Sequence, residues 1–112
     1  MFLANFTFDT ERPNESVTSV FGAAGQRWVT GFGGYTGATA VLDAELTAGG
    51  VFNSVTPAVD QTQGYGTYTV TFSDCMNGTI AYEFPGQDLS GEIPITRVSP
   101  DNAALCEALQ NE

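Results

Sequence analysis

The chain has 112 residues, of which thirteen are acidic and three are arginines, with no lysine or histidine, and a formal charge of −10. That length holds one domain, residues 1–112, with a core able to fold alone but little surplus stability. The charge argues against nucleic acid and anionic lipid as partners, and the missing histidine excludes Ser/His/Asp and Cys/His nucleophiles and the commonest zinc ligand.

Charged residues make up only 14% of the chain and glycine accounts for 13 positions, a mixture that reads as an exported β protein. No apolar run is long enough to insert in a bilayer, and the first residues lack the basic and apolar blocks of a signal peptide. The expectation is that a signal has been removed or that the chain is cut from something longer.

In chain order, Met1–Asp9 alternates, with Phe2, Phe6 and Phe8 on one parity and Leu3, Asn5 and Thr7 on the other. This pattern predicts a strand whose aromatic face is buried. Thr10–Glu15 reads as a turn, Ser16–Phe21 as a strand and Gly22–Gly25 as a loop. Gln26–Phe32, with the only tryptophan, Trp28, reads as a strand, and Gly33–Gly37 as a flexible connection. Ala38–Leu46 predicts a strand with Ala40, Leu42, Ala44 and Leu46 on one face, although its alanines would also suit a helix.

Ala48–Gly50 reads as a turn, Val51–Val55 as a short strand and Thr56–Tyr65 as a polar loop. Gly66–Asp74 carries the clearest strand signal, Tyr68, Val70 and Phe72 facing one way and threonines the other. Asn77-Gly78 predicts a tight turn, and Thr79–Phe84 returns with Ile80, Tyr82 and Phe84 inward. Gly91–Val98 is the last strand, and Pro94 in it predicts an edge or a bulge. Ser99-Pro100-Asp101 then reads as the start of a helix to about Leu109, with Leu105, Cys106 and Leu109 on one side.

The fold class expected is all-β: an antiparallel sandwich or partly open barrel of about 7–8 strands, with a short C-terminal helix. Cys75 and Cys106 are the only cysteines. Together they suggest a disulfide, which would remove roughly 3.5–4 kcal/mol of unfolded-chain entropy and point to an oxidising compartment. The alternative is two separate buried thiols in a cytosolic protein.

Asp43 and Glu45 have the spacing of two acids on one strand face, but nothing apolar surrounds them to raise a pKa, so they read as solvated. No dense Asp/Asn/Gly ladder for calcium appears and no cofactor motif is found, so neither metal nor cofactor is assigned. Trp28, Tyr35 and Tyr65, with Phe32 and Tyr68, are candidate rings for stacking a sugar; the preferred reading places Trp28, Phe32 and Tyr68 in the core. Asn5, Asn14 and Asn77 head N-x-Ser/Thr sequons. Arg97 reads as a structural ion-pair partner.

The segment Thr71-Phe72-Ser73-Asp74-Cys75-Met76-Asn77-Gly78-Thr79, with Tyr82, Ser90–Arg97 and Cys106, resembles a module of uncharacterised secreted bacterial proteins, often in tandem copies. Phe2–Asp9, Arg27-Trp28 and Gly49-Gly50-Val51-Phe52 are similar to the same module. The resemblance implies an exported all-β unit and no catalytic residues. It departs at Asn5, where related modules tend to have tryptophan, and before Met1, where they carry a further hairpin's worth of chain. That second departure predicts either a fragment or a sheet edge completed by another subunit.

The function expected is therefore a non-catalytic structural, assembly or adhesion module at the cell surface, outside the cell or in the periplasm. It would pair with itself or a neighbouring module through an edge carrying Phe2, Phe6 and Phe8. The other reading is a glycan-binding module using Trp28, Tyr35 and Tyr65.

Overall fold

The computed structural model describes residues 1–8, 26–49, 53–56 and 58–111; the turn, strand and loop expected between residues 10 and 25 lie outside these, as does Asn14. The strands are β1 (Phe2–Phe8), β2 (Gln26–Phe32), β3 (Tyr35–Thr36), β4 (Thr39–Gly49), β5 (Val59–Phe72), β6 (Asn77–Phe84) and β7 (Leu89–Thr96). A 3₁₀ turn spans Pro85–Gln87, and one helix, α1, spans Ala103–Gln110. Every pairing is antiparallel. The seven strands form one sheet in the order β1-β2-β4-β5-β6-β7, with β3 folded back on β4. This curled half-barrel is the partly open form of the expected all-β fold.

The sheet is strongly sheared. All six long strands meet in a single row, Phe2–Phe32–Asp43–Thr67–Glu83–Ser90. On one side of that row β1 and β2 pair against the later half of β4; on the other, β6 and β7 extend the later half of β5. Stagger of this kind curls a sheet toward a barrel. The two ends of the sheet thus sit at opposite corners of a molecule measuring 57 × 29 × 25 Å.

The core lies on the inner face, where Val29, Ala40, Leu42, Ala44, Tyr68, Val70, Ile80 and Phe84 form one buried cluster. Their period of two fixes the faces of β4, β5 and β6 as the sequence predicts. Phe84 is the hub: the Tyr65 ring packs 4.8 Å from it, Tyr68 meets it edge-on at 5.5 Å, and Tyr82 lies 5.6 Å away. Glycines make the room these rings need. A Cβ on Gly31 would stand 3.0 Å from Tyr68 Cδ2, one on Gly66 would collide with the Phe84 ring, and one on Gly91 would stand 2.6 Å from the Tyr82 hydroxyl.

Several local expectations are corrected. Residues 33–37 are no open connection: Tyr35 and Thr36 pair with Ala40 and Thr39 in a tight hairpin. β4 continues through the glycine expected in a turn, and β5 begins at Val59 inside the segment read as a loop. Of the strand expected at Val51–Val55, the described residues 53–55 are not strand: Asn53 is in a turn, in the left-handed region at φ 56°, and Val55 is in a bend. The β4–β5 register shifts at Ala44/Leu46, where Gly64 takes a φ of 66°. This bulge turns Tyr65 onto Phe84.

The β5–β6 turn also moves. Asn77 and Gly78 are already in β6, and the reversal falls on Ser73–Met76. One Asp74 carboxylate oxygen accepts from the Met76 N–H at 2.7 Å and from the Asn77 N–H at 2.8 Å, so a side chain builds the turn expected from a glycine. Helix α1 starts two residues later than Asp101, after Asn102 at φ 64°, while Ser99 Oγ accepts from the Asp101 N–H instead of capping the helix. Leu105 and Leu109 are each 58% exposed, so of the side expected to carry Leu105, Cys106 and Leu109 only Cys106 is tied to the sheet, through its bond to Cys75. Cys75 and Cys106 form the disulfide, with Cα atoms 5.9 Å apart.

Candidate functional site

The sheet has two long edges, and their chemistry differs. At the β1 edge, the Met1 nitrogen donates to the Gly33 carbonyl at 2.6 Å and the Gly33 N–H donates back to Met1 at 3.2 Å. In an antiparallel ladder bonded pairs alternate, so Leu3, Asn5 and Thr7 bond to β2 while Phe2, Ala4 and Phe6 direct their N–H and C=O groups away from it. Among the described residues no strand pairs with that side.

The same even-numbered residues put their side chains on the outer face. Phe2 is 63% exposed and Phe6 75%, which corrects the expectation that this aromatic face is buried. The inner position belongs instead to Leu3, Asn5 and Thr7, because the Tyr68 ring reaches across Gly31 and takes a hydrogen bond from Asn5 Nδ2 at 3.3 Å. Burial pushes the Tyr68 phenol upward, and the Asn5 bond opposes it. Phe8 pairs with Gln26 along the backbone; its side chain lies outside the described residues.

β2 supplies the rest of the patch. Phe6 stands opposite Trp28 and Phe2 opposite Phe32. The Phe6 and Trp28 rings stack at 5.5 Å and 18°. Phe32 is 72% exposed and Trp28 43%, so neither is the core residue the sequence reading preferred. Phe2, Ala4, Phe6, Trp28, Thr30 and Phe32 form an uncharged outer surface; Asp43 and Glu45, one strand further in, mark where acid begins.

The three candidate sugar-stacking rings do not share a surface. Trp28 is on the outer face, Tyr65 packs into the core against Phe84, and Tyr35 lines an inner-face groove with Met1 and Phe72. A second groove of about 620 Å³ opens beside the disulfide, with Phe72, Met76, Ile95 and Arg97 in its wall. Arg97 is structural, though not through a carboxylate: its Nε donates to the Cys75 carbonyl at 3.0 Å and a terminal nitrogen to the Asp101 carbonyl at 2.8 Å. It therefore ties the β5–β6 turn to the approach of α1.

At the β7 edge, the Arg97 N–H donates to Met76 at 2.7 Å, in register with the β6–β7 ladder. Ile93 and Ile95 thus bond to β6, while Ser90, Glu92 and Pro94 face outward. Pro94 sits at an edge without a bulge, where its missing N–H leaves no ladder bond broken. The side of β5 from Val59 to Gln63 that no described strand covers is a third, shorter edge carrying Asp60, Gln61 and Gln63.

Asn5 and Asn77 both use their side-chain amides internally, Asn77 Nδ2 donating to Asp74 at 3.1 Å. No helix among the described residues is long and apolar enough to cross a membrane, and no three acidic or cysteine side chains among them gather as a metal site. Comparison with protein families, curated proteins and solved structures finds no match to this chain.

Proposed function

We propose that the chain is a non-catalytic, exported structural module that assembles by adding a β-strand to its β1 edge, which no described strand covers. One observation carries the reading: the residues whose backbone groups point outward, Phe2, Ala4 and Phe6, are also the ones whose side chains build the exposed aromatic patch with Trp28 and Phe32. A strand docking there gains main-chain bonds and ring contacts together, the combination on which strand addition depends. An unprotected apolar edge is otherwise an aggregation liability, and the opposite edge carries the proline and acid that blunt one. The disulfide favours an oxidising setting at the cell surface or beyond. Carbohydrate binding has weaker support, because Trp28, Tyr35 and Tyr65 lie in three separate places.

Ala4→Pro tests the reading. It deletes an outward N–H without touching a β1–β2 bond, and edge strands accept proline. The native chain is expected to be associated in light scattering at micromolar concentration, and the variant monomeric with unchanged circular dichroism. An equally associated variant would sink the proposal.

A further inference from the structure

Building on that reading, we infer that the strand received by β1 is the β1 of a second copy, paired antiparallel about a two-fold axis at Ala4. The outward backbone groups on β1 belong to even-numbered residues, so a second β1 must align even with even for both strands to form bonded pairs. Of the symmetric registers that satisfy this, only those centred on Ala4 and Asn5 set both Phe2 and Phe6 opposite a β1 residue of the other copy.

The rings choose between them. Centring on Ala4 places Phe2 opposite Phe6 of the other copy, twice, with the two small Ala4 side chains between. Each crossing then extends an existing cross-strand pair into a row Trp28–Phe6–Phe2–Phe32, the last two from the other copy, so Phe2 and Phe6 each gain an aromatic partner across the contact. On the inner face the same register sets Leu3 beside Asn5. Centring on Asn5 sets Phe2 opposite Phe8 but leaves Phe6, the ring already stacked on Trp28, beside Ala4, and abuts two amides whose Nδ2 groups already serve Tyr68.

Charge permits the contact despite −10 on each chain. Residues 2–8 carry none, and the nearest described acids on this face, Asp43 and Glu45, are on β4. From β4 of one copy to β4 of the other is five strand spacings, about 24 Å, roughly three Debye lengths at physiological salt. The contact is isologous, so it closes at a dimer with a sheet continuous through both copies.

The experiment is Ala4→Cys, with Ser90→Cys on the β7 edge as control; the native cysteines are occupied by their disulfide. Under mild oxidation the Ala4→Cys chain is expected to give a covalent dimer at least tenfold faster than Ser90→Cys, since directly bonded partners sit about 5.5 Å apart at Cα, within disulfide reach. Association in light scattering without cross-linking at position 4 would overturn the two-fold register while leaving strand addition at β1 standing. A native chain monomeric at high micromolar concentration would overturn both, and equal rates for the two variants would mean collision rather than docking.

Discussion

The β1 edge and the β7 edge are held in opposite ways. β7 lies beside a covalent staple: Cys75 bonds Cys106, Arg97 bridges the Cys75 and Asp101 carbonyls, and its outward residues include Pro94 and Glu92. β1 has its ladder to β2, Leu3 on the core and, among the described residues, one side-chain hydrogen bond, Asn5 to Tyr68. Covalent and side-chain cross-links thus gather beside β7, and exposed aromatic surface on β1 and β2. The difference teaches that the disulfide is a staple for the C-terminal corner and puts no covalent link on the β1 edge.

Removing the staple should have the largest effect. Cys75→Ala with Cys106→Ala is expected to lower unfolding stability by about 3.5 kcal/mol, from the 31-residue separation it closes. Urea denaturation measures the loss, and hydrogen exchange should place it in β7, Arg97 and α1. If the amides of Leu3, Asn5 and Thr7 lose protection equally, the two corners are one cooperative unit and the contrast between them fails.

Gly31→Ala attacks the other corner. The new methyl would meet Tyr68 Cδ2 at 3.0 Å and Leu42 Cβ at 3.1 Å, and both side chains are almost completely buried. Overpacking a site of this kind costs about 1–3 kcal/mol. Displacing the Tyr68 ring should also break its bond from Asn5, so β1 amides should exchange faster while β7 is unchanged. A variant as stable as the native chain would show that the ring can move aside and that Gly31 is not what sets the inner face of β1.

Much of this arrangement is legible in the sequence, and the failures share physical causes. The alternating runs of β4, β5 and β6 expose their inner stripes because one face is apolar and the other is rich in threonine and acid. In β1 both faces carry apolar side chains, and a period of two says which residues share a face without saying which face is covered. That choice is made by Gly31 and Tyr68, residues distant in sequence. β3 and the first half of β5 are exposed on both faces, so they have no periodicity to read; pairing with β4 creates them. Asn77-Gly78 looks like a turn by residue type, yet Asp74 accepts the Met76 and Asn77 amides and completes the reversal before it. Cysteine pairing was readable because only two were present. The patch itself was half readable: Phe2 and Phe6 as an edge, but not Trp28 and Phe32 as their exposed partners.

The smallest expected effect is a pH dependence at the stapled corner. Asp74 is held below the ordinary carboxylate range, first by the Asn77 side-chain amide and then by the Met76 N–H. A carboxyl whose folded pKa is depressed adds stability above its unfolded value, near pH 4, and loses it as pH falls through the folded value. Asp74→Asn keeps an oxygen acceptor for the turn but has no charge to titrate. The difference in urea midpoint between the native chain and the variant should therefore be constant from pH 7 to about pH 5 and shrink below about pH 4. Because the side chain is fully exposed, the change should be small and weaken in high salt. A difference that stays constant to pH 2 would mean that the Asp74 oxygens act as neutral acceptors would, and that the corner owes its closure to the disulfide and Arg97 alone.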